Sequence, residues 1–350
     1  MPSIMLVGEF GTEDQRRGGM LHFAGALGEA LERRLGRQVL NPRKRFSNRN
    51  RLAQALSLIV SAVRDRPAVV HQLTSGFDSL LIILLRLCLG FKLVFTVHSL
   101  IRTSPALRER TGPLERLRRN LIERIVLPRC DALVAPSETL VSAATACGYS
   151  FRHWVVIPHG VDRELLATRP RETAPGRQVL VIGGDWREKG ADRIPEILSA
   201  LSSDERLVWV GELECKSSRA IVERFVRPNL GPAFSVYPPR SRMGIVELLD
   251  ASDLLLVPSP YESFGLVVLE AAARGVPVLV ARTVGAASIV NAFGAGRTCD
   301  FSDATSIRSG LQAIRADYTK YSRAALAMGQ EHGWGRAAQQ YIQIYEQLAP

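Results

Sequence analysis

The sequence predicts an α/β chain of two doubly wound, Rossmann-like domains, and three observations lead there. The 350 residues are enough for two domains that each bury a core. Apolar runs of strand length alternate with helical stretches; 253–257, 265–274 and 276–280 read as strand, crossover helix and parallel strand. The alternation restarts at 179–182 after residues 163–176, where Pro170, Pro175 and Gly176 read as a linker. The expected division is 1–162, a linker at 163–177, 178–325, and a terminal helical segment at 326–350.

In the first half, strand 4–7 leads through a loop to Gly18-Gly19 and a helix ending near Leu35. A glycine pair ahead of a helix lets backbone approach a ligand and offers N–H groups to phosphate. Strand 38–40, helix 50–64, strand 68–73, helix 77–90 and strand 92–97 follow. Helix 77–90 is strongly apolar but cut off by Arg86, Gly90 and Lys92, too short to span a bilayer. It reads as a buried crossover helix, with interfacial membrane contact as the sharper option. His98 ends strand 92–97; a lone histidine there is more often a structural hydrogen-bonder, but the carboxyl edge of a parallel strand makes it a candidate. Helix 105–127, strand 131–135, helix 137–147 with Ser137 as cap, and strand 155–157 complete the unit.

In the second half, strand 179–182 opens into a loop, 183–190, that carries Arg187 and Lys189, a fork and a point charge suited to phosphates. Strand–helix pairs follow at 207–210 with 217–225 and at 233–236 with 241–250; strand 253–257 then leads to the helix at 265–274. Glu262 falls in the loop before that helix, whose first N–H groups, near Phe264, Gly265 and Leu266, favour an anion. Glu270 interrupts an otherwise apolar run, 266–273, and calls for a partner; an exposed carboxylate is the plain alternative. Helices at 303–316, 318–328 and 334–348 end the chain, with Trp334 and Tyr345 on a packed face.

Charge is one-sided. Residues 1–160 hold 23 Lys+Arg against 12 Asp+Glu, and 161–350 hold 22 of each. Arg37, Arg43, Lys44, Arg45, Arg49, Arg51 and Arg64 run with no acid between them. Such a surface attracts anionic membranes, nucleic acid or an anionic substrate, or is simply solvated. Five cysteines without a Cys-x-x-Cys pair argue against a zinc site or disulfide framework and for a reducing compartment. No basic-then-apolar leader precedes the first strand, so no signal peptide is expected. No Asp-x-Asp or His/carboxylate metal spacing is present, and no metal or other cofactor is expected.

Glu262-Ser-Phe-Gly-Leu-Val-Val-Leu-Glu270, preceded by Pro258-Ser259, resembles the donor-site signature of retaining GT-B glycosyltransferases of family 4. The resemblance implies two Rossmann-like domains facing each other across a cleft, the last helix crossing back onto the first. It implies that Glu262 holds the transferred sugar and Glu270 the ribose, while backbone N–H groups of Ser263, Phe264, Gly265 and Leu266 touch sugar and diphosphate. Gly18 and Gly19 are similar to the family's glycine loop over the diphosphate, and His98 to its histidine facing the sugar. Val236 and Tyr237 lie where the family clasps the base. Pro136-Ser137-Glu138 is similar to a family turn. Ile157-Pro158-His159-Gly160-Val161-Asp162 resembles a family turn with Asn at the position of His159. Lys189-Gly190 matches a diphosphate-binding pair; Gly184-Asp185 stands where Gly-Arg is common, leaving Arg187 as the substitute cation.

The resemblance therefore implies a retaining, metal-independent transferase taking a sugar from a nucleotide-diphosphate sugar to a saccharide or lipid-linked acceptor, in polysaccharide or glycolipid synthesis. Its expected place is cytoplasmic, with the basic first domain able to meet an anionic inner membrane face. Rival readings are a nucleotide-sugar epimerase or a phosphorylase of similar architecture. A basic nucleic-acid-binding protein is a third, but stacking platforms and a recognition helix are missing, so no nucleic acid is expected as partner. A dinucleotide oxidoreductase lacks its Gly-x-Gly-x-x-Gly.

Overall fold

The computed structural model describes residues 2–8, 19–41, 51–76, 78–104, 108, 111–174, 176–184, 186–214 and 218–350. Gly18, Arg43, Lys44, Arg45 and Arg49 lie outside them, as do the surroundings of Gly19 and the side chain of Arg51. The chain forms two compact units, one comprising residues up to Gly160 with Trp334–Pro350, the other Val161–Gly333. Among the described residues no helix is long and apolar enough to cross a membrane.

The first unit holds a parallel sheet of β1 (Ile4–Val7), β2 (Val69–Gln72), β3 (Lys92–Thr96), β4 (Ala132–Ala135) and β5 (Trp154–Val156), in that order. β1, β2 and β4 are buried along their whole length, as parallel strands covered by helices must be. Predicted strand 38–40 shrinks to one bridge, Leu40 against Met5 beyond β1. From there the chain reverses its direction across the sheet. The helices of this unit begin with α1 (Gly19–Leu35), α2 (Arg51–Asp65) and α3 (Asp78–Leu89), and α2 packs against α3. The last helix packs against α1 and buries Trp334, Tyr341 and Tyr345.

Predicted helix 105–127 is a composite. An α-helix at Pro113–Leu121, α4, widens into a π turn at Ile122–Val126 and closes as a 3-10 turn at Leu127–Arg129. Pro128 lacks an N–H and its ring crowds the carbonyl four residues back, so the turn before it opens and the Leu127 N–H reaches Ile122, five residues back. Predicted helix 217–225 does the same at Val222–Val226, ahead of Pro228. Ser137 caps α5 (Glu138–Ala146), its Oγ accepting from the Leu140 N–H at 3.2 Å.

The second unit has a parallel sheet in the order β11-β10-β9-β6-β7-β8. These strands are β6 (Gln178–Ile182), β7 (Arg206–Val210), β8 (Phe234–Tyr237), β9 (Leu254–Val257), β10 (Val278–Ala281) and β11 (Gly296–Cys299). The stretch 163–176, linker-like in composition, is bound to this unit. Ala167 donates to the Ala273 carbonyl at 2.7 Å, and the Arg171 guanidinium donates to the carbonyls of Arg274, Ser252 and Leu249 at 3.1, 2.7 and 2.9 Å.

Candidate functional site

β6 and β9 are neighbours in the sheet, yet their chains leave in opposite directions, to β7 on one side and β10 on the other. Where the order reverses, the two carboxyl-end loops diverge and leave a crevice. The loop after β6 is set by two tryptophans. Trp186 is fully buried and stacks on Trp209 with ring centroids 5.0 Å apart. The Trp186 indole donates to the Glu212 carbonyl at 2.9 Å and that of Trp209 to the Gly183 carbonyl at 3.0 Å. Gly190 then turns with φ +77°, so close to the next loop that a Cβ would lie 2.3 Å from the Pro258 carbonyl oxygen. The Lys189 stem fills the space over Gly183.

This packing delivers Lys189 to Glu262. Its Nζ donates to Oε1 at 2.7 Å, while Oε2 accepts from the Ser259 hydroxyl at 3.1 Å. The loop carrying Glu262 is stitched to the one after β10: Gly285 donates to the Glu262 carbonyl at 2.8 Å, Ala286 to that of Phe264 at 2.7 Å, and the Thr283 hydroxyl to that of Ser259 at 3.2 Å. Gly265, with φ +97°, starts the helix Leu266–Ala273. A Cβ there would stand 3.8 Å from the Glu262 carboxyl carbon, so the helix opens beside the ion pair. N–H groups at a helix start and an ammonium are donors to which an anion can bind, and the carboxylate, which balances the Lys189 charge here, can accept from hydroxyls.

Glu270 lies four residues after Leu266 and shares its half-buried face; Val268, Leu269 and Ala271, Ala272 and Ala273 take the buried side. Ser263 is half-buried and Phe264 buried in the loop itself. Arg187 is exposed on the Lys189 loop. Val236 and Tyr237 end β8, two strands from β6 along the same sheet edge, and the Arg240 guanidinium lies 5.3 Å from the Tyr237 ring centroid. The structure thus joins Lys189, Ser259, Glu262 and the start of the helix, and leaves Val236 and Tyr237 at the edge's far end. Ser259 had appeared only as part of a motif; its bond to Glu262 shows why a hydroxyl three residues earlier matters.

In the first unit, His98 Nε2 donates to the Leu73 carbonyl at 2.9 Å, which leaves Nδ1 as the acceptor of a neutral ring. Burial lowers its pKa to about 4, the bond to Leu73 opposing the shift. Phe23 of α1 stands edge-on to it with centroids 4.7 Å apart, and His159 is 5.5 Å away. His159 is pushed well below its ordinary value by burial, then by the charges of His98 and His22. The His159 replacement in the turn signals this aromatic cluster in the sequence; Phe23 gave no signal of its own.

The chain matches two family models: Glycosyltransferase Family 4 over residues 15–165 and Glycosyl transferases group 1 over 165–328. It is similar to the D-inositol 3-phosphate glycosyltransferase of Xylanimonas cellulosilytica, 28% identical over 275 residues, covering 73% of this chain and 66% of that protein. The chain thus spans just under two thirds of that relative's length. It is also similar to lipopolysaccharide glucosyltransferase WaaG of Escherichia coli, 34% identical over 116 residues, 32% of this chain and 30% of that one. Among solved structures, sucrose-phosphate synthase from Thermosynechococcus elongatus superposes with a TM-score of 0.77 at 19% identity, covering 99% of this chain and 98% of that one. Anabaena HepE, in complex with UDP and glucose, superposes with a TM-score of 0.69 at 17% identity, covering 99% and 100%.

Proposed function

This chain belongs to the glycosyltransferases of family 4 and group 1 and has their GT-B fold, and on that premise we propose that it moves a sugar from a nucleotide-diphosphate sugar to a saccharide or lipid-linked acceptor. The transfer retains anomeric configuration and needs no metal ion. The observation that supports this best is the Lys189–Glu262–Ser259 constellation beside a helix N-terminus at the reversal point of the second sheet.

In this reading the donor diphosphate takes Lys189 from Glu262. The ammonium, Arg187 and the backbone N–H groups of Ser263, Phe264, Gly265 and Leu266 then carry the charge that develops on the leaving group, which is where preorganised donors accelerate most. Glu262, released, accepts from hydroxyls of the transferred sugar, and Glu270 accepts from the ribose. Val236 and Tyr237 hold the base. His98 Nδ1 accepts from a sugar hydroxyl. HepE was solved with UDP, and a Mycobacterium tuberculosis relative, 35% identical over 149 residues, is GDP-mannose-dependent; both bases are therefore probes. The acceptor binds the basic first unit, on the inner face of an anionic membrane, where each Lys or Arg near the surface contributes about 1 kcal/mol.

A thermal-shift series with UDP, GDP, ADP and their sugars, with and without EDTA, tests the donor site. One diphosphate series should raise the melting temperature regardless of EDTA, and Glu270→Ala should weaken the shift. No shift with any of them, or a shift abolished by EDTA, would overturn the metal-independent donor site. Proton NMR of the product's anomeric coupling checks retention.

A further inference from the structure

The second helix of the first unit buries Leu58 and Ala62 and yet is apolar on its water-facing side as well. On α2, Ser57 and Ser61 are buried, 3% and 5% exposed, whereas Leu52 and Leu56 are 79% and 62% exposed, and Val60 and Val63 stand outward beside them. The neighbouring α3, packed against α2, is apolar except for Asp78 and Ser79 at its start and Arg86, which pairs with Asp131. Its outward Leu84 and Leu87 are 60% and 79% exposed. Next to α3 comes the π turn after α4, where Ile125 is exposed; Leu114 and Leu117 are exposed on α4 itself. From Leu52 to Val63 the row runs about 16 Å. Two adjacent helices about 10 Å apart make an apolar face of roughly 300 Å², in the range of the largest patch on a monomer, which is often functional.

Cations rim this face. Arg64 and Arg66 follow the α2 row, Lys92 follows α3, Arg116 and Arg124 flank Leu117 and Ile125, and Arg129 ends the last turn; all six are exposed. Of the four acids in these helices Glu123 is buried, accepting from the Ile101 N–H at 2.8 Å, Asp65 is paired with Arg64, Glu115 is paired with Arg118 and Arg119, and Asp78 accepts from Gln72 at the start of α3. Leucines outward with arginines at the margin suit acyl chains below and phosphate headgroups around. A second copy placed on the same face by a twofold axis would set these cations against each other.

We infer that the outward face of α2 and α3, with the exposed residues of α4 and the π turn, is the surface by which this protein lies on an anionic lipid bilayer. The inference rests on the membrane-side reading above and gives it a place. The bilayer covers Leu52, Leu56, Val60, Leu84 and Leu87, and the guanidinium and ammonium groups meet lipid phosphate.

Sedimentation of the full chain with phosphatidylglycerol/phosphatidylcholine vesicles, beside pure phosphatidylcholine, tests it. The protein should pellet with the anionic vesicles at low salt, and the combined substitution Leu56→Ser, Leu84→Ser and Leu87→Ser should weaken partitioning at least tenfold. Since all three side chains are exposed, the variant should keep its melting temperature and its stabilisation by nucleoside diphosphates. A fluorophore on Cys88, exposed between Leu87 and Leu89, with Cys147→Ser and Cys215→Ser, should shift to the blue on anionic vesicles only. Equal pelleting of parent and variant, or none by either, overturns the surface. So does gel filtration in which the parent elutes as a dimer and the variant as a monomer. The nucleotide shift, read on the same preparations, tells whether the donor site stands independently.

Discussion

At the scale of single residues, the ion pair between Lys189 and Glu262 is better read as a poised site than as a strut. Both groups are half-buried and open to solvent, so the pair itself contributes only about 1 kcal/mol to stability. Its worth lies in holding a cation and a carboxylate where a diphosphate and a sugar can separate them. Lys189→Ala should lower kcat by about 10²–10³-fold if the ammonium stabilises the leaving group, with a melting temperature near that of the parent. Steady-state kinetics beside a thermal melt separate the two effects, and a large loss of stability with little loss of rate would make Lys189 structural. Glu262→Gln keeps the volume and the bond to Ser259 but loses the charge. It should leave diphosphate affinity equal or tighter while slowing transfer, because Lys189 no longer has a competing partner.

At the scale of elements, the site depends on one loop leaning on another. Gly190 is the contact point: its left-handed φ suits glycine, and the Pro258 carbonyl fills the space a side chain would need. Gly190→Ala should cost about 2–3 kcal/mol, from the left-handed penalty plus overpacking, and should also weaken nucleotide binding by displacing Lys189. Urea unfolding and the thermal-shift series read the two effects. The composite helices show the limit of pattern reading at this scale. Their apolar period was legible, but the widening before Pro128 and Pro228 comes from a missing donor and a crowded carbonyl, which periodicity does not register. Likewise, a helical period groups Leu52, Leu56, Val60 and Val63 on one face without saying which way it points.

At the scale of the whole molecule, the two units carry unequal proton chemistry. In the first, burial, then the charge of His98, pushes His71 down to about 3; burial brings His98 to about 4 and His159 well below its ordinary value. The Tyr345 hydroxyl and Thr96 Oγ1 flank the His71 nitrogens at 2.6 and 2.8 Å. The folded unit refuses protons that the unfolded chain takes up below pH 6.5. Stability is therefore full above that pH and falls toward pH 4, by about 1.4 kcal/mol per pH unit for each imidazole. Calorimetry at pH 7, 6 and 5 should show the transition of this unit moving down in temperature. The second unit, with His332 as its only histidine, should move far less. A His71→Gln variant should flatten the dependence, and no movement between pH 7 and 5 would contradict the burial of neutral imidazoles.

The sequence by itself determined the alternation of buried strands with helices, the restart near residue 179, the one-sided charge, and the Glu262 and Glu270 motif. Each of these is a local or compositional property, carried by neighbours within a few turns of chain. Tertiary structure decided what no neighbour could. Lys189 and Glu262 stand 73 residues apart and meet because β6 pairs with β9 rather than with its successor alone. Which side of α2 faces outward is likewise set by its packing within the unit, beside α3. Strand order and crossover hand are settled by the packing of whole layers, where apolar area and close approach across the sheet outweigh the preference of any single segment.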